Sequence, residues 1–263
     1  MPERENGTRP AVIAVCGKGG VGKTSISAMI TGALARDPAR RILAIDADPA
    51  VGLALALGFS PARTVDDIRS ALIEQVERGG AGDARSMVEQ LDFEVAAALE
   101  ERDGIAFLAI GRPEKDGCYC QVNDLLRDII GSVARSFDAV VIDGEAGIEQ
   151  VNRRVMERIT HLVLVSDSSR KGLGVAAGIH AVAGRAADCA KAGLIVNRVR
   201  PGDDTGTIAA PGGIPFLGTV PEDDSVRRFD MEGRSILGIG ESPAARAVRE
   251  CMSRLGLDVL HKA

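Results

Sequence analysis

"CGKGGVGKTS", Cys16 to Ser25, decides how this chain is read. Gly17, Gly22, Lys23 and Thr24 meet the pattern G-x-x-x-x-G-K-[ST]. In that pattern glycines let backbone N–H groups turn inward around phosphates, the lysine reaches the β and γ phosphates, and the hydroxyl takes Mg²⁺. The whole stretch of Gly17, Lys18, Gly19, Gly20, Val21, Gly22, Lys23, Thr24 and Ser25 is therefore assigned to nucleotide binding. It follows the apolar run "AVIAVC" from Ala11 and opens the helical run "KTSISAMITGALA" from Lys23, so the phosphates meet the positive end of a helix. Lys18 is surplus: at the start of the loop it is badly placed to double Lys23 on the same nucleotide.

Around the loop, β-branched apolar runs alternate with longer helical patterns. The expected strands are "AVIAVC", "RILAID" from Arg41, "IAFLAI" from Ile105, "AVVID" from Ala139, "HLVLVS" from His161, "GLIVN" from Gly193 and "PFLGTV" from Pro215. Thr64 followed by Val65, Ile68, Leu72 and Val76 reads as a capped amphipathic helix, with Asp67 completing a capping box. This alternation predicts an α/β fold, a doubly wound and mostly parallel sheet. The aromatic fraction is 3%, so Val, Ile, Leu and Ala must build the core, as in sheets covered on both faces. Residues 1–9 read as a flexible tail and residues 10–263 as a single domain. The stretches "ERGGAGDARS" (77–86) and "RPGDDTGTIAAPGG" (200–213) have loop composition, while "SMVEQLDFEVAAALEERDG" (86–104) carries no assignable motif.

A formal net charge of −5 disfavours broad binding to nucleic acid or to anionic lipid. No apolar run approaches the roughly 20 residues of a membrane span, and "MPERENGTRP" has no hydrophobic signal region, so a cytoplasmic protein is expected. Five cysteines in such a chain read as thiols rather than a disulfide framework.

Two acidic motifs follow at strand ends, where open α/β sheets bind their ligands. "IDADPA" supplies Asp46 and Asp48, and "VVIDGEAG" supplies Asp143 and Glu145. Asp143, after a run of apolar residues, stands where an acid supports Mg²⁺ through water, and Asp48, just past its strand, is placed to orient or deprotonate the attacking water. The chemistry read from these residues is phosphoryl transfer, carried by Lys23, Asp48 and Asp143. "VNRV" lacks the acidic residue of a guanine-reading N-K-x-D motif, which favours ATP.

"GKGGVGKT" resembles the deviant Walker A loop of the ATPases that include the nitrogenase iron protein, the MinD and ParA proteins and the arsenite-pump ATPases. The resemblance implies an ATP-sandwiched homodimer in which Lys18 crosses the interface to the partner's nucleotide. It also implies that Asp48 belongs to switch I and "DGEAGIE" to switch II, and that Asn197 and Arg198 in "IVNR" with Pro221 and Glu222 in "VPED" lie on the adenine side. More narrowly, "DADP", "GCYC", "EAGIE" and "VSDSSR", in this order, are similar to the accessory ATPases that help insert nickel into carbon monoxide dehydrogenase. That likeness implies a client metalloenzyme as partner.

Cys118 and Cys120 make an incomplete thiolate site for zinc or another thiophilic metal, which the likeness implies is nickel, and a two-fold axis nearby would supply the missing pair. Arg112 and Lys115 just upstream have the sign needed to offset four thiolates. Cys16, Cys189 and Cys251 are expected to pack as small hydrophobes. Two other classes stay open: a positioning ATPase of the MinD/ParA kind, which would be expected to carry a basic amphipathic tail or face, and an electron-transfer ATPase like the nitrogenase iron protein, with a cluster between subunits.

Overall fold

Seven parallel strands and one antiparallel edge strand form a single sheet in the computed structural model, which describes residues 9–78, 84–111, 120–144, 159–185, 189–203 and 211–257. In chain order the strands are β1 (Ala11–Gly17), β2 (Ile42–Asp46), β3 (Glu100–Arg102), β4 (Ile105–Ala109), β5 (Ala139–Asp143), β6 (His161–Ser166), β7 (Lys191–Val199) and β8 (Phe216–Pro221). Their spatial order is β3-β4-β2-β5-β1-β6-β7-β8. The helices among the described residues are α1 (Lys23–Leu34), α2 (Gly52–Leu57), α3 (Val65–Glu77), α4 (Ala84–Ala98), α5 (Cys120–Ala134), α6 (Arg170–Arg185), α7 (Asp224–Met231) and α8 (Pro243–Leu255).

The apolar runs explain the layering. Every residue of β1 is buried, so it is a central strand covered on both sides. Val12, Ala14 and Cys16 face a layer that includes residues of α3, α4, α5 and α6, whereas Ala11, Ile13 and Val15 face α1, α2 and α8. After β1 the chain runs through α1 toward β2 on one side. After the adjacent β6 it runs through α6 toward β7 on the other. The crevice where neighbouring strands send their connections apart is the ligand-binding position of a doubly wound sheet, and the glycine-rich loop opens into it.

All seven expected strands are present, with β7 beginning at Lys191 rather than Gly193. The capping box at Thr64 forms as expected: Asp67 N donates to Thr64 Oγ1 at 3.1 Å and Thr64 N donates to Asp67 Oδ2 at 2.7 Å. Two differences concern the stretch read as loop and the stretch that carries no motif. Helix α4 begins at Ala84, inside the stretch read as loop. Its continuation ends in a hairpin in which Glu100 pairs with Phe107 and Arg102 with Ile105 across an Asp103–Gly104 turn with φ values of 53° and 77°. That conformation is what an Asp-Gly pair favours, and the charged edge strand guards the end of the sheet against pairing with another chain.

Candidate functional site

The loop is shaped by two close approaches. A Cβ at Gly17 would lie 2.0 Å from the carbonyl oxygen of Val165, its register partner on β6, so only glycine lets the loop leave β1 at this point. Gly22 caps α1 in the left-handed region at φ 88°, and a Cβ there would lie 2.5 Å from the Asn197 amide nitrogen. Asn197 donates to the carbonyl of Val21 at 2.8 Å, and Arg198, itself at φ 58°, donates to the carbonyl of Gly20 at 2.9 Å. The end of β7 thus fixes the loop from behind.

Lys23, Thr24 and Ser27 lie on the first turns of α1 and point at the strand ends. Lys23 is buried, with its ammonium 3.5 Å from the carbonyl of Lys18. The Thr24 hydroxyl donates to Asp143 Oδ2 at 2.7 Å and the Ser27 hydroxyl donates to Asp143 Oδ1 at 2.9 Å. Asp143 is 1% exposed. Burial pushes its carboxyl up to about 6, against the pull of the Thr24 and Ser27 hydroxyls and the Lys23 charge. This oxygen-rich corner, with a serine or threonine hydroxyl held beside a strand-end aspartate, suits a hard divalent cation and the phosphates it accompanies.

Asp46 sits directly beside Asp143, since the two are register partners on β2 and β5. Burial first, then the neighbouring Asp143, pushes the Asp46 carboxyl up to about 7. It accepts from the amides of Leu53 at 2.7 Å and Asp48 at 3.1 Å, and so folds the turn that presents Asp48. Asp48 is half-buried and accepts from the amide of Ala50 at 2.9 Å. Val51 closes the turn in the left-handed region at φ 51°, an uncommon state for a β-branched residue and one that clusters at functional turns. The positioning role of Asp46, and the part of Ser27, need the strand register and the helix phase and have no motif of their own.

Lys18 lies apart from this group, about a third exposed, with its ammonium 3.6 Å from Asp167 Oδ2 at the end of β6. Ser25, Asn197, Arg198, Pro221 and Glu222 line a cavity of about 290 Å³ on the other side of the loop. The residues expected on the adenine side are therefore gathered in one place. Glu222 is held by Arg200 at 2.7 Å. Asp223, on the rim, caps α7 through the amide of Ser225 and accepts from the amide of Ala244.

Cys118, Arg112 and Lys115 and the residues from Glu145 to Glu149 expected in switch II lie outside the described residues, and Cys120 is described only as the first backbone position of α5. Among the described residues no group of three or more His, Cys, Asp or Glu side chains is arranged to hold a metal. Cys16 and Cys251 are buried thiols, pushed up by burial to about 12 and about 11, as packed hydrophobes should be. No helix among the described residues is long and apolar enough to cross a membrane.

A model of the CobQ/CobB/MinD/ParA nucleotide binding domain matches residues 12–236. The chain belongs to that family. Within it, the chain is 34% identical to an ATP-binding protein of Methanocaldococcus jannaschii over 88% of its own length and 92% of that protein's. It is 32% identical to the carbon monoxide dehydrogenase accessory protein CooC of Rhodospirillum rubrum, covering 89% of this chain and 91% of that one. Among solved structures, the septum site-determining protein MinD of Pyrococcus horikoshii, complexed with Mg-ADP, superposes with a TM-score of 0.66 at 21% identity, covering 97% of this chain and all (100%) of that one. As a member of this family the chain is a P-loop nucleotide-binding protein of the MinD/ParA type, with the family's α/β fold.

Proposed function

We propose that this protein is a Mg²⁺-dependent ATPase that closes into an ATP-bound homodimer and uses that cycle to deliver a thiophilic metal, nickel or zinc, to a client metalloenzyme such as carbon monoxide dehydrogenase. The observation that carries the ATPase part is the corner in which Thr24 and Ser27 hold Asp143 with Lys23 beside them. There Thr24 would ligate Mg²⁺ and Asp143 would support it through water, while Lys23 takes the β and γ phosphates. Asp48, presented by Asp46, orients and deprotonates the attacking water, and Lys18 adds positive charge at the partner's transition state. The adenine occupies the cavity between Asn197, Arg198, Pro221 and Glu222. Phosphoryl transfer asks the protein for positioning and charge neutralisation more than for covalent chemistry, and these residues supply both.

The delivery part is supported by the likeness to CooC across 89% of the chain and by the Cys118–Tyr119–Cys120 sequence. Four thiolates from two subunits around a divalent ion carry a net charge of −2, so nearby cations such as Arg112 and Lys115 belong to the site. If metal and ATP both favour the closed dimer, each must strengthen the other's binding, and hydrolysis then releases the metal. Metal titration of wild type and of Cys118→Ser/Cys120→Ser, read by metal content and by mass, tests this. The expected result is one metal per dimer that disappears in the double variant while ATP binding is retained. Unchanged metal stoichiometry removes the site and returns the reading to a generic dimerising ATPase, for which a positioning ATPase is the second reading. That second reading is favoured by the family model, which takes in MinD and ParA, and ATP-dependent binding to anionic vesicles or to DNA by the metal-free protein would establish it.

A further inference from the structure

The pairing of β1 with β6 places the start of the glycine-rich loop against the start of α6. Gly17 is the register partner of Val165, so Lys18 and Asp167, just beyond that pair, meet with the ammonium 3.6 Å from Oδ2. Asp167 is not a loose surface acid. Its Oδ1 accepts from the amide of Ser169 at 3.1 Å and from the Ser169 hydroxyl, and Ser169 Oγ in turn accepts from the amide of Gly172 at 3.0 Å. The Ser166 hydroxyl donates to the Asp167 carbonyl at 2.7 Å. A Cβ at Gly172 would lie 2.2 Å from Asp167 Oδ1, so the first turn of α6 is cut to fit this carboxylate. Burial opposes its ionisation, but the hydrogen bonds from Ser169 and the charge of Lys18 outweigh it and hold the carboxyl below the usual range. One oxygen is thus committed to the helix and the other is aimed at Lys18.

We propose that Asp167 is the resting partner of Lys18: it holds the loop lysine within its own protomer, and closure of two protomers exchanges this contact for the partner's nucleotide. The inference rests on the reading of Lys18 as a residue that acts across the dimer. Both side chains are about a third exposed, and pairs of that kind are weak and screened by salt. A weak pair suits a contact that a phosphate must displace. It also gives "VSDSSR" a task, since Ser166, Asp167 and Ser169 together build the holder.

The test is dimerisation with a slowly hydrolysed ATP analogue, followed by light scattering in wild type and in Asp167→Asn. Asparagine keeps an acceptor for Ser169 and removes the charge. The expected result is unchanged nucleotide affinity of the monomer and dimerisation that is about two- to fivefold tighter at low salt. The difference should fade as salt screens the pair in the wild type, a dependence that a purely structural role would not show. Equal or weaker dimerisation of Asp167→Asn at low salt overturns the proposal, and so does loss of nucleotide binding by its monomer, which would assign Asp167 to the frame of the loop. Lys18→Ala run alongside separates the two readings. If it dimerises like wild type, the role across the interface falls. If it fails to dimerise while Asp167→Asn behaves as wild type, the resting contact alone falls.

Discussion

The two ends of the sheet bury polar groups in opposite ways. At the C-terminal ends of β2 and β5, Asp46 and Asp143 lie side by side with almost no exposure, and burial raises both carboxyls, to about 7 and about 6. Adjacent buried carboxyls are unfavourable through desolvation and like-charge repulsion, and a nearby cation relieves both. At the N-terminal end of β6, Thr160 closes a local circuit: its hydroxyl is 2.8 Å from the amide of Val12 and 3.0 Å from its carbonyl, with His161 Nδ1 2.8 Å away. His161 is buried and faces Lys191, which stands opposite it on β7. The first end spends stability to hold groups ready for a ligand, and the second satisfies the backbone.

If that contrast is right, substitutions at the C-terminal end should act on turnover and those at the N-terminal end on stability. The largest effect is expected from Lys18→Ala. A cation supplied across the interface to a phosphoryl-transfer transition state is worth on the order of a thousandfold in rate, so hydrolysis should fall by about that factor while monomeric ATP binding is largely kept. Steady-state phosphate release beside equilibrium nucleotide binding measures both. A proportional loss of binding would move Lys18 to the nucleotide of its own protomer.

Asp48→Ala should come next, lowering turnover by about a hundredfold, as removal of a positioned general base does. Asp48 reaches its place through the Asp46 carboxylate rather than through its own packing, so the nucleotide pocket is left intact and ATP affinity should hold. Single-turnover hydrolysis at saturating ATP reads the effect directly. Undiminished hydrolysis would remove Asp48 from its role.

How much of this was legible in the sequence depended on how local the signal was. The loop, its strand and its helix are contiguous, and the capping box at Thr64 spans a single turn, so all could be read directly. The strand-end acids were visible, but the work of Asp46 was not: its pairing with Asp143 exists only once β2 and β5 are in register. The same holds for Lys18 and Asp167, which are distant in sequence and meet because β1 and β6 are neighbours. The hairpin at Glu100–Arg102 was missed for a different reason. Its strand is charged throughout, so alternation gave no signal, although the Asp103–Gly104 pair was a turn signal in plain view. For Asn197 and Arg198 the sequence offers only an adenine-side role by resemblance, whereas the structure shows both side chains holding carbonyls of the phosphate loop.

The smallest effect belongs to the N-terminal end. Burial, reinforced by the charge of Lys191, lowers the His161 imidazole from 6.5 to about 4, and among the described residues its Nε2 has no hydrogen-bond partner. The folded protein therefore resists taking up this proton. The unfolded chain binds it from about pH 6.5 downward, so the contribution to stability is fully present above that value and is lost as pH falls toward 4. At pH 5 the loss is about 2 kcal/mol, which for a chain of this size lowers the melting temperature by roughly 4–8 °C. His161→Leu keeps the site apolar, in line with Val163 and Val165 further along the same face of β6, and removes the titration. Its melting temperature should change less between pH 7.5 and pH 5 than that of wild type, by about this margin, with ATP turnover at pH 7.5 unaltered. Thermal melts across that range decide the matter. An equally steep acid decline in His161→Leu would locate the sensitivity elsewhere, and a loss of turnover at neutral pH would show that the two ends of the sheet are not as separate as their hydrogen bonding implies.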